Sequence, residues 1–136
     1  MSYRWVDHTA EVELEIEAAG EPEVLEEALR ALAELLGVNA AGRAGARPTA
    51  RRAVTAAAPD RPALLAAWIE ELAFLAESEG FVATRIVELD LVGGSLRATV
   101  DGMLGEPPPL VKAVTYHRLT FEPHGDRYVA RVVLDV

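Results

Sequence analysis

Acidic and apolar residues alternate near the start of the chain and predict a strand with one buried face. Every second residue from Glu11 to Glu17 is a glutamate, and the residues between them are valine, leucine and isoleucine. Since successive side chains of a strand point to opposite faces, the aliphatic residues face a core and the four glutamates share the other face. Solvent is the expected environment of the last three of them, Glu13, Glu15 and Glu17.

Two stretches of helical periodicity follow this strand. In the first, leucine, valine and alanine recur three and four positions apart over about residues 22–36, and Gly37 supplies the stop. The second helix is predicted to begin after Asp60, whose carboxylate can cap free backbone N–H groups, with Pro62 tolerated in the first turn. It ends near Gly80.

The segment between the helices, residues 37–52, is rich in glycine and alanine and shows no hydrophobic period, so it is predicted to be a loop. A short strand around Val54 follows it. The arginines of the loop are expected either to contact RNA or to keep the loop soluble; they are Arg43, Arg47, Arg51 and Arg52.

Four more strands complete the predicted fold. Residues 82–92 and 95–102 form a hairpin that turns at two adjacent glycines, and about residues 111–121 and 127–136 form another. The order β-α-β-α-β-β-β-β over residues 1–136 predicts one domain of the α+β class. Its architecture is two-layered, a mostly antiparallel sheet with both helices packed on one face.

Composition narrows the classes of function. Thirteen basic against 22 acidic residues give a net charge of −9, which argues against unaided binding of RNA or DNA and favours a basic protein partner. The chain has no cysteine, which excludes a disulfide, a thiolate nucleophile and a cysteine-ligated zinc. It has no apolar run of about 18 residues and no signal-peptide pattern, so we expect no membrane association and a cytoplasmic location.

None of the three histidines forms a recognisable catalytic pattern. His124 lies in a predicted turn and is expected to be solvated. Strand alternation places His117 on one face with Thr115 and Leu119, and Tyr116 on the opposite face. His8 stands just before the first predicted strand, where local hydrogen bonding is its expected role.

Carboxylates are the stronger candidates for chemistry. Glu11 begins the first predicted strand near Asp7, and Asp135 ends the last strand, followed by Val136. If both strands belong to one sheet, Asp135 shares a side with Glu11, and their approach is repulsive unless a cation or a proton intervenes. Such a cluster of oxygen ligands suits Ca²⁺ or Mg²⁺ better than zinc.

Three separated motifs carry a resemblance to a known family. The segments "DHTAE" at 7–11, "KAVTYH" at 112–117 and the ending "VVLDV" together resemble the archease family. The helical segments "LEEAL" and "LLAAWIEELAFLAESEGFV" extend the resemblance over nearly the whole chain.

The resemblance implies an accessory protein of the RNA ligase that joins 3′-phosphate or 2′,3′-cyclic phosphate ends to 5′-hydroxyl ends, as in tRNA splicing. Such a protein promotes guanylylation of the ligase histidine and repeated turnover, is not itself an enzyme, and meets RNA only through the ligase. The resemblance places the metal ligands at Glu11, Asp135 and Val136, with calcium or another hard cation such as magnesium as cofactor.

One ligand position departs from the family pattern. The family usually has aspartate where this chain has Glu11, and the extra methylene carries the carboxylate oxygens about 1.5 Å further. Calcium tolerates such a change of ligand distance better than magnesium does. Asp7 is an alternative ligand or a supporting group beside the ion.

Two other functions fit the same residues. One is a metal-dependent phosphoester hydrolase that acts alone through these carboxylates. The other is a general chaperone or adaptor without a metal. The sequence makes no prediction of oligomeric state.

Overall fold

The computed structural model describes residues 2–8, 11–37, 49–105, 111 and 113–136. Within these residues the chain forms two helices and seven strands, in the order β1 (Ser2–His8), β2 (Glu11–Ala18), α1 (Glu21–Leu35), β3 (Thr49–Ala57), α2 (Arg61–Glu79), β4 (Phe81–Val92), β5 (Ser95–Leu104), β6 (Ala113–His124) and β7 (Arg127–Asp135). Arg43 and Arg47 of the predicted loop are outside the described residues, and so is Lys112 of the "KAVTYH" segment.

The strands divide between two antiparallel sheets. One sheet has four strands in the order β1-β2-β7-β6, and the other has three in the order β3-β5-β4. Both helices contact both sheets, α1 through β2 and β4, and α2 chiefly through β6, β3 and β4. The α+β class with two helices and antiparallel strands is therefore confirmed, while the strands form two sheets joined by the helices where one sheet was expected.

The core lies where the helices meet the inner faces of the sheets. Trp68 of α2 is fully buried, and its Nε1 donates a hydrogen bond to the backbone oxygen of Leu25 in α1 at 2.9 Å. Leu14 of β2 and Leu134 of β7 are each 1% exposed and pack in the same core. This burial fixes the direction in which every alternate residue of β2 and β7 points.

The predicted signals at the helix and turn boundaries are confirmed. The Asp60 side chain accepts a hydrogen bond from the backbone N–H of Ala63 at 2.9 Å, which caps α2, and Gly80 ends the helix with a left-handed φ of 67°. The hairpin between β4 and β5 turns at Gly93, whose φ of 58° is one that glycine adopts without strain.

Two boundaries differ from the sequence-based expectation. Residues 2–8, which showed too little hydrophobic pattern to be recognised, form β1 and pair with β2, with Trp5 opposite Leu14. Strand β3 begins at Thr49, so Arg51 and Arg52 lie in a strand and not in a loop. Their guanidinium groups pair with carboxylates within the chain: Arg51 Nε lies 2.7 Å from Asp101, and Arg52 Nε lies 2.8 Å from Glu79.

Strand β6 contains a wide bulge. Thr115 lies opposite Val133 and Thr120 lies opposite Arg131, so residues 116–119 occupy the space that faces Val132 alone. Arg118 within the bulge has a positive φ of 61°, which is uncommon for a residue with a side chain. The predicted alternation around His117 is therefore wrong, because the extra residues interrupt the ladder of β6 and β7.

Candidate functional site

The pairing of β2 with β7 brings together two carboxylates from opposite ends of the chain. Glu11 lies directly opposite Asp135 in the antiparallel register, in the row next to Val12 and Leu134. Because the Leu134 side chain points into the core, Asp135 and its cross-strand neighbour Glu11 belong to the outer face of the four-stranded sheet. Directly opposed residues in such a pair have Cβ atoms about 5 Å apart.

The flanking strands extend the same row across the sheet. His8 of β1 is in register with Glu11, and Ala113 of β6 is in register with Asp135. His8 thus lies inside a strand where the sequence placed it just ahead of one, and Asp7 is in register with Val12, not with Glu11. Both site strands are interior strands of the sheet, with hydrogen-bonded neighbours on each side.

Glu11 and Asp135 lack a positive partner among the described side chains, since neither forms an ion pair or a side-chain hydrogen bond there. Both are partly exposed. Two facing carboxylates without a counter-charge repel each other and offer hard oxygen donors, the donor type that Ca²⁺ and Mg²⁺ prefer. No group of three or more histidine, aspartate or glutamate side chains positioned to hold a metal occurs in the described parts of the chain.

Glu13 occupies an environment opposite to the one expected. It is 2% exposed, although the sequence predicted a solvated side chain. Arg118 Nη1 lies 3.1 Å from its Oε1, and Arg131 Nε lies 3.3 Å from its Oε2. The charge is buried because the bulge of β6 brings Arg118 onto the outer face of the sheet, where Arg131 of β7 also points.

The next two glutamates of β2 also have arginine partners. Glu15 accepts a hydrogen bond from Arg4 Nε at 2.6 Å and lies 3.4 Å from Arg131 Nη2. The hydrogen bond from Arg4 is the main cause that holds the pKa of Glu15 below its usual value. Glu17 lies 2.8 Å from Arg127 Nε, in a pair in which the glutamate side chain is 55% exposed. The expectation of solvent exposure thus holds for Glu17 and only in part for Glu15.

His117 and His124 are exposed, as is Tyr116 beside the former. The solvated state predicted for His124 is therefore confirmed. The arginines that surround Glu13 were missed by sequence reasoning. Alternation along the last strand does place Arg131 on the same face as Asp135, but nothing in the local sequence indicates that the bulge would direct Arg118 there.

Comparison with known proteins agrees with the motifs at both ends of the chain. The model of the Archease protein family (MTH1598/TM1083) matches residues 3–136. The chain belongs to the archease family. Two curated archeases match it across nearly their whole length: that of Archaeoglobus fulgidus is 30% identical and covers 100% of both chains, and that of Methanosarcina acetivorans is 32% identical over 98% of this chain and 95% of its own.

Two solved structures share the fold. Protein 1598 of Methanobacterium thermoautotrophicum superposes with a TM-score of 0.66 at 25% identity and covers 98% of each chain. An archease from Thermotoga maritima, described as a possible chaperone, gives a TM-score of 0.69 at 25% identity over 96% of this chain and 94% of its own. In the described part of the present chain, neither helix is long and apolar enough to cross a membrane.

Proposed function

We propose that this chain is an accessory protein that activates an RNA ligase of the guanylyl-histidine type. The ligase joins 3′-phosphate or 2′,3′-cyclic phosphate ends to 5′-hydroxyl ends, and the accessory protein promotes guanylylation of the ligase and its repeated turnover. Membership of the archease family supports this role. The observation that carries it is the direct pairing of Glu11 with Asp135 on one face of the sheet.

The donors at this position fit a hard divalent cation. Glu11 and Asp135 would each supply carboxylate oxygens, and Val136, the next residue, would supply main-chain oxygen. We call these three residues the carboxylate corner. Calcium is the ion proposed, because its variable ligand number and distance accommodate the longer side chain of Glu11. The ion, when bound, supplies positive charge for phosphate oxygens at the ligase active site.

The protein residues contribute orientation and charge. The hydrogen bonds of β2 and β7 on both sides hold Glu11 and Asp135 at a fixed separation. An acidic surface on a chain of net charge −9 would be drawn to a basic surface around the ligase active site, which speeds and orients the encounter. The chain itself then acts on the ligase and not on RNA.

Multiple-turnover RNA joining tests this role. Addition of the wild-type chain should raise the number of turnovers per ligase, and Glu11→Ala and Asp135→Ala should each abolish most of that gain. Glu17→Ala is the matched control, because it removes a glutamate from the same face of β2 at a position that pairs with Arg127. Full stimulation by folded Glu11→Ala and Asp135→Ala proteins would exclude the proposed mechanism.

Two further variants examine the ligands one by one. Glu11→Asp restores the side chain usual in the family and should keep or improve calcium affinity, measured by calorimetry. A chain that is made to end at Val136 offers a main-chain carboxylate there, and its extension by two glycines leaves only a peptide carbonyl, which should bind calcium more weakly. Unchanged affinity in the extended chain would remove Val136 from the proposed ligand set.

A further inference from the structure

The edge where α2 meets β6 carries an exposed apolar surface that the carboxylate corner does not use. Phe74 is 61% exposed, although most apolar residues of α2 are buried. Its side chain lines a shallow cavity of about 190 Å³ together with Ala113 and Val114 of β6. Phe74 therefore adjoins other apolar side chains in one exposed surface, and contiguous exposed apolar surface is typical of protein contact sites.

Two glutamates flank Phe74 on the same side of the helix. Glu70 precedes it by four positions and Glu77 follows it by three, a spacing that puts all three side chains on one face. Both glutamates line the same cavity, and neither pairs with a basic side chain among the described residues. We call Glu70, Phe74, Glu77, Ala113 and Val114 the aromatic–acidic patch.

The patch adjoins the carboxylate corner. Ala113 lines the cavity and is also the residue of β6 that lies directly opposite Asp135. Neighbouring strands are about 4.8 Å apart, so the patch begins one strand away from the proposed ligand. Since Asp135 lies on the outer face and α2 covers the inner face, a protein that wraps around the β6 edge of the sheet contacts both Asp135 and Phe74.

We propose that the aromatic–acidic patch is the surface through which this chain docks on its RNA ligase. Phe74 enters an apolar recess of the ligase, and Glu70 and Glu77 pair with arginine or lysine side chains around that recess. The inference rests on the proposed function, since it names the contact surface of the same partner. It explains why an aromatic residue is exposed between two carboxylates that pair with no basic side chain in the described part of the chain.

Charge favours the ligase as the partner of the patch over a second copy of the chain and over RNA. A second copy of the chain would bring Glu70 and Glu77 against equivalent carboxylates, and each copy carries a net charge of −9. RNA would bring phosphates to the same glutamates and be repelled. A basic protein surface with an apolar recess is complementary to both parts of the patch. Its positive charges pair with the glutamates and fix the orientation, and Phe74 supplies the buried contact.

The chain offers matched controls for a binding experiment. Val92 is 74% exposed and lies beside the turn of the β4–β5 hairpin, so Val92→Ala removes a comparable exposed apolar side chain elsewhere. Glu122 and Asp126 are exposed near the β6–β7 turn, at the end of that hairpin opposite Ala113. The double change Glu122→Lys/Asp126→Lys thus equals Glu70→Lys/Glu77→Lys in charge.

The dissociation constant for the ligase is measured with each full-length variant. Phe74→Ala and Glu70→Lys/Glu77→Lys are each expected to weaken binding by about tenfold or more, and the two controls to change it by less than about twofold. Calcium affinity of the free variants, measured by calorimetry, should equal that of the wild type. The wild-type complex should also weaken with added salt more steeply than the complex of Glu70→Lys/Glu77→Lys.

These measurements distinguish a failure of the docking proposal from a failure of the proposed function. Wild-type affinity in both patch variants, together with loss of stimulation in Glu11→Ala, would overturn the patch and leave the proposed function standing. A wild-type chain that neither binds nor stimulates the ligase would overturn both. A dimer seen by sedimentation that Phe74→Ala dissociates, with ligase affinity unchanged, would identify the occupant as a second copy and also overturn the proposal.

Discussion

Glu11 and the other three glutamates of β2 share one residue type, one strand and one face, yet their surroundings differ. Glu13, Glu15 and Glu17 each lie within 3.4 Å of at least one arginine nitrogen. Glu11 instead faces Asp135. The periodic sequence pattern is the same at all four positions, so it is the arginines that neighbouring strands place within reach that separate the three ion-paired glutamates from the one candidate ligand. The charged side chains that surround each glutamate therefore say more about function here than the alternating pattern of β2.

The largest expected effect comes from removing an arginine over the buried glutamate. Arg131→Ala removes an arginine partner of Glu13, whose side chain is 3% exposed, and also removes a partner of Glu15. We expect a loss of about 3 kcal/mol in the free energy of unfolding, measured with guanidinium chloride at pH 7. Arg127→Ala, which removes the exposed pair with Glu17, should cost at most about 1 kcal/mol. Equal losses would contradict the contrast between buried and exposed pairs.

A second prediction concerns stabilisation by calcium. At a calcium concentration of about one hundred times the dissociation constant, the wild type should gain about 2.7 kcal/mol, seen as a rise in Tm. Asp135→Asn should lose most of this gain because one proposed ligand is removed, while Glu17→Gln should keep it. A full gain in Asp135→Asn would show that calcium binds elsewhere.

Without a divalent cation, neutralising Glu11 and neutralising an arginine-paired glutamate should change the free energy of unfolding in opposite directions. In a chelating buffer, Glu11→Gln removes repulsion from Asp135 and should leave the free energy of unfolding unchanged or raise it by about 0.5 kcal/mol. Glu15→Gln removes the charged partner of Arg4 and should lower it by a similar amount. Destabilisation by both substitutions would mean that Glu11 has a positive partner in solution.

The smallest effect is a pH dependence at Glu15. Its pKa is lowered in the folded chain from the ordinary value of 4.5, chiefly by the hydrogen bond from Arg4. The bond therefore contributes stability above that value, and the contribution is lost as the pH falls through the lowered folded pKa. The difference in unfolding free energy between wild type and Glu15→Gln, a few tenths of a kcal/mol at pH 7, should shrink below pH 4. A constant difference across this range would contradict the role of Arg4.

Local signals predicted much of the fold. The cap at Asp60, the stop at Gly80 and the turn at Gly93 lie where the sequence indicated, because each depends on residues within a few positions of itself. The facing of Glu11 and Asp135 was a conditional expectation, and it is met because β2 and β7 are neighbours in one sheet.

Features that depend on distant segments were not predicted. The burial of Glu13 requires Arg118 and Arg131, which come from β6 and β7, so the alternating pattern of β2 alone could not show it. The bulge around Arg118 leaves no signal of its own, since no glycine or proline lies within residues 116–119. The division into two sheets likewise depends on which strands pair, and the order of strands along the chain does not determine that.

The pairing of β2 with β7 also has a consequence for protein synthesis. Residue 11 leaves the ribosome well before its partner at 135 is made. A nascent or prematurely terminated polypeptide therefore cannot assemble the two facing carboxylates, however well its earlier segments fold. The pair of carboxylates can form only after β7 has been translated. An unfinished chain would therefore lack the pair on which activation of the ligase is proposed to depend.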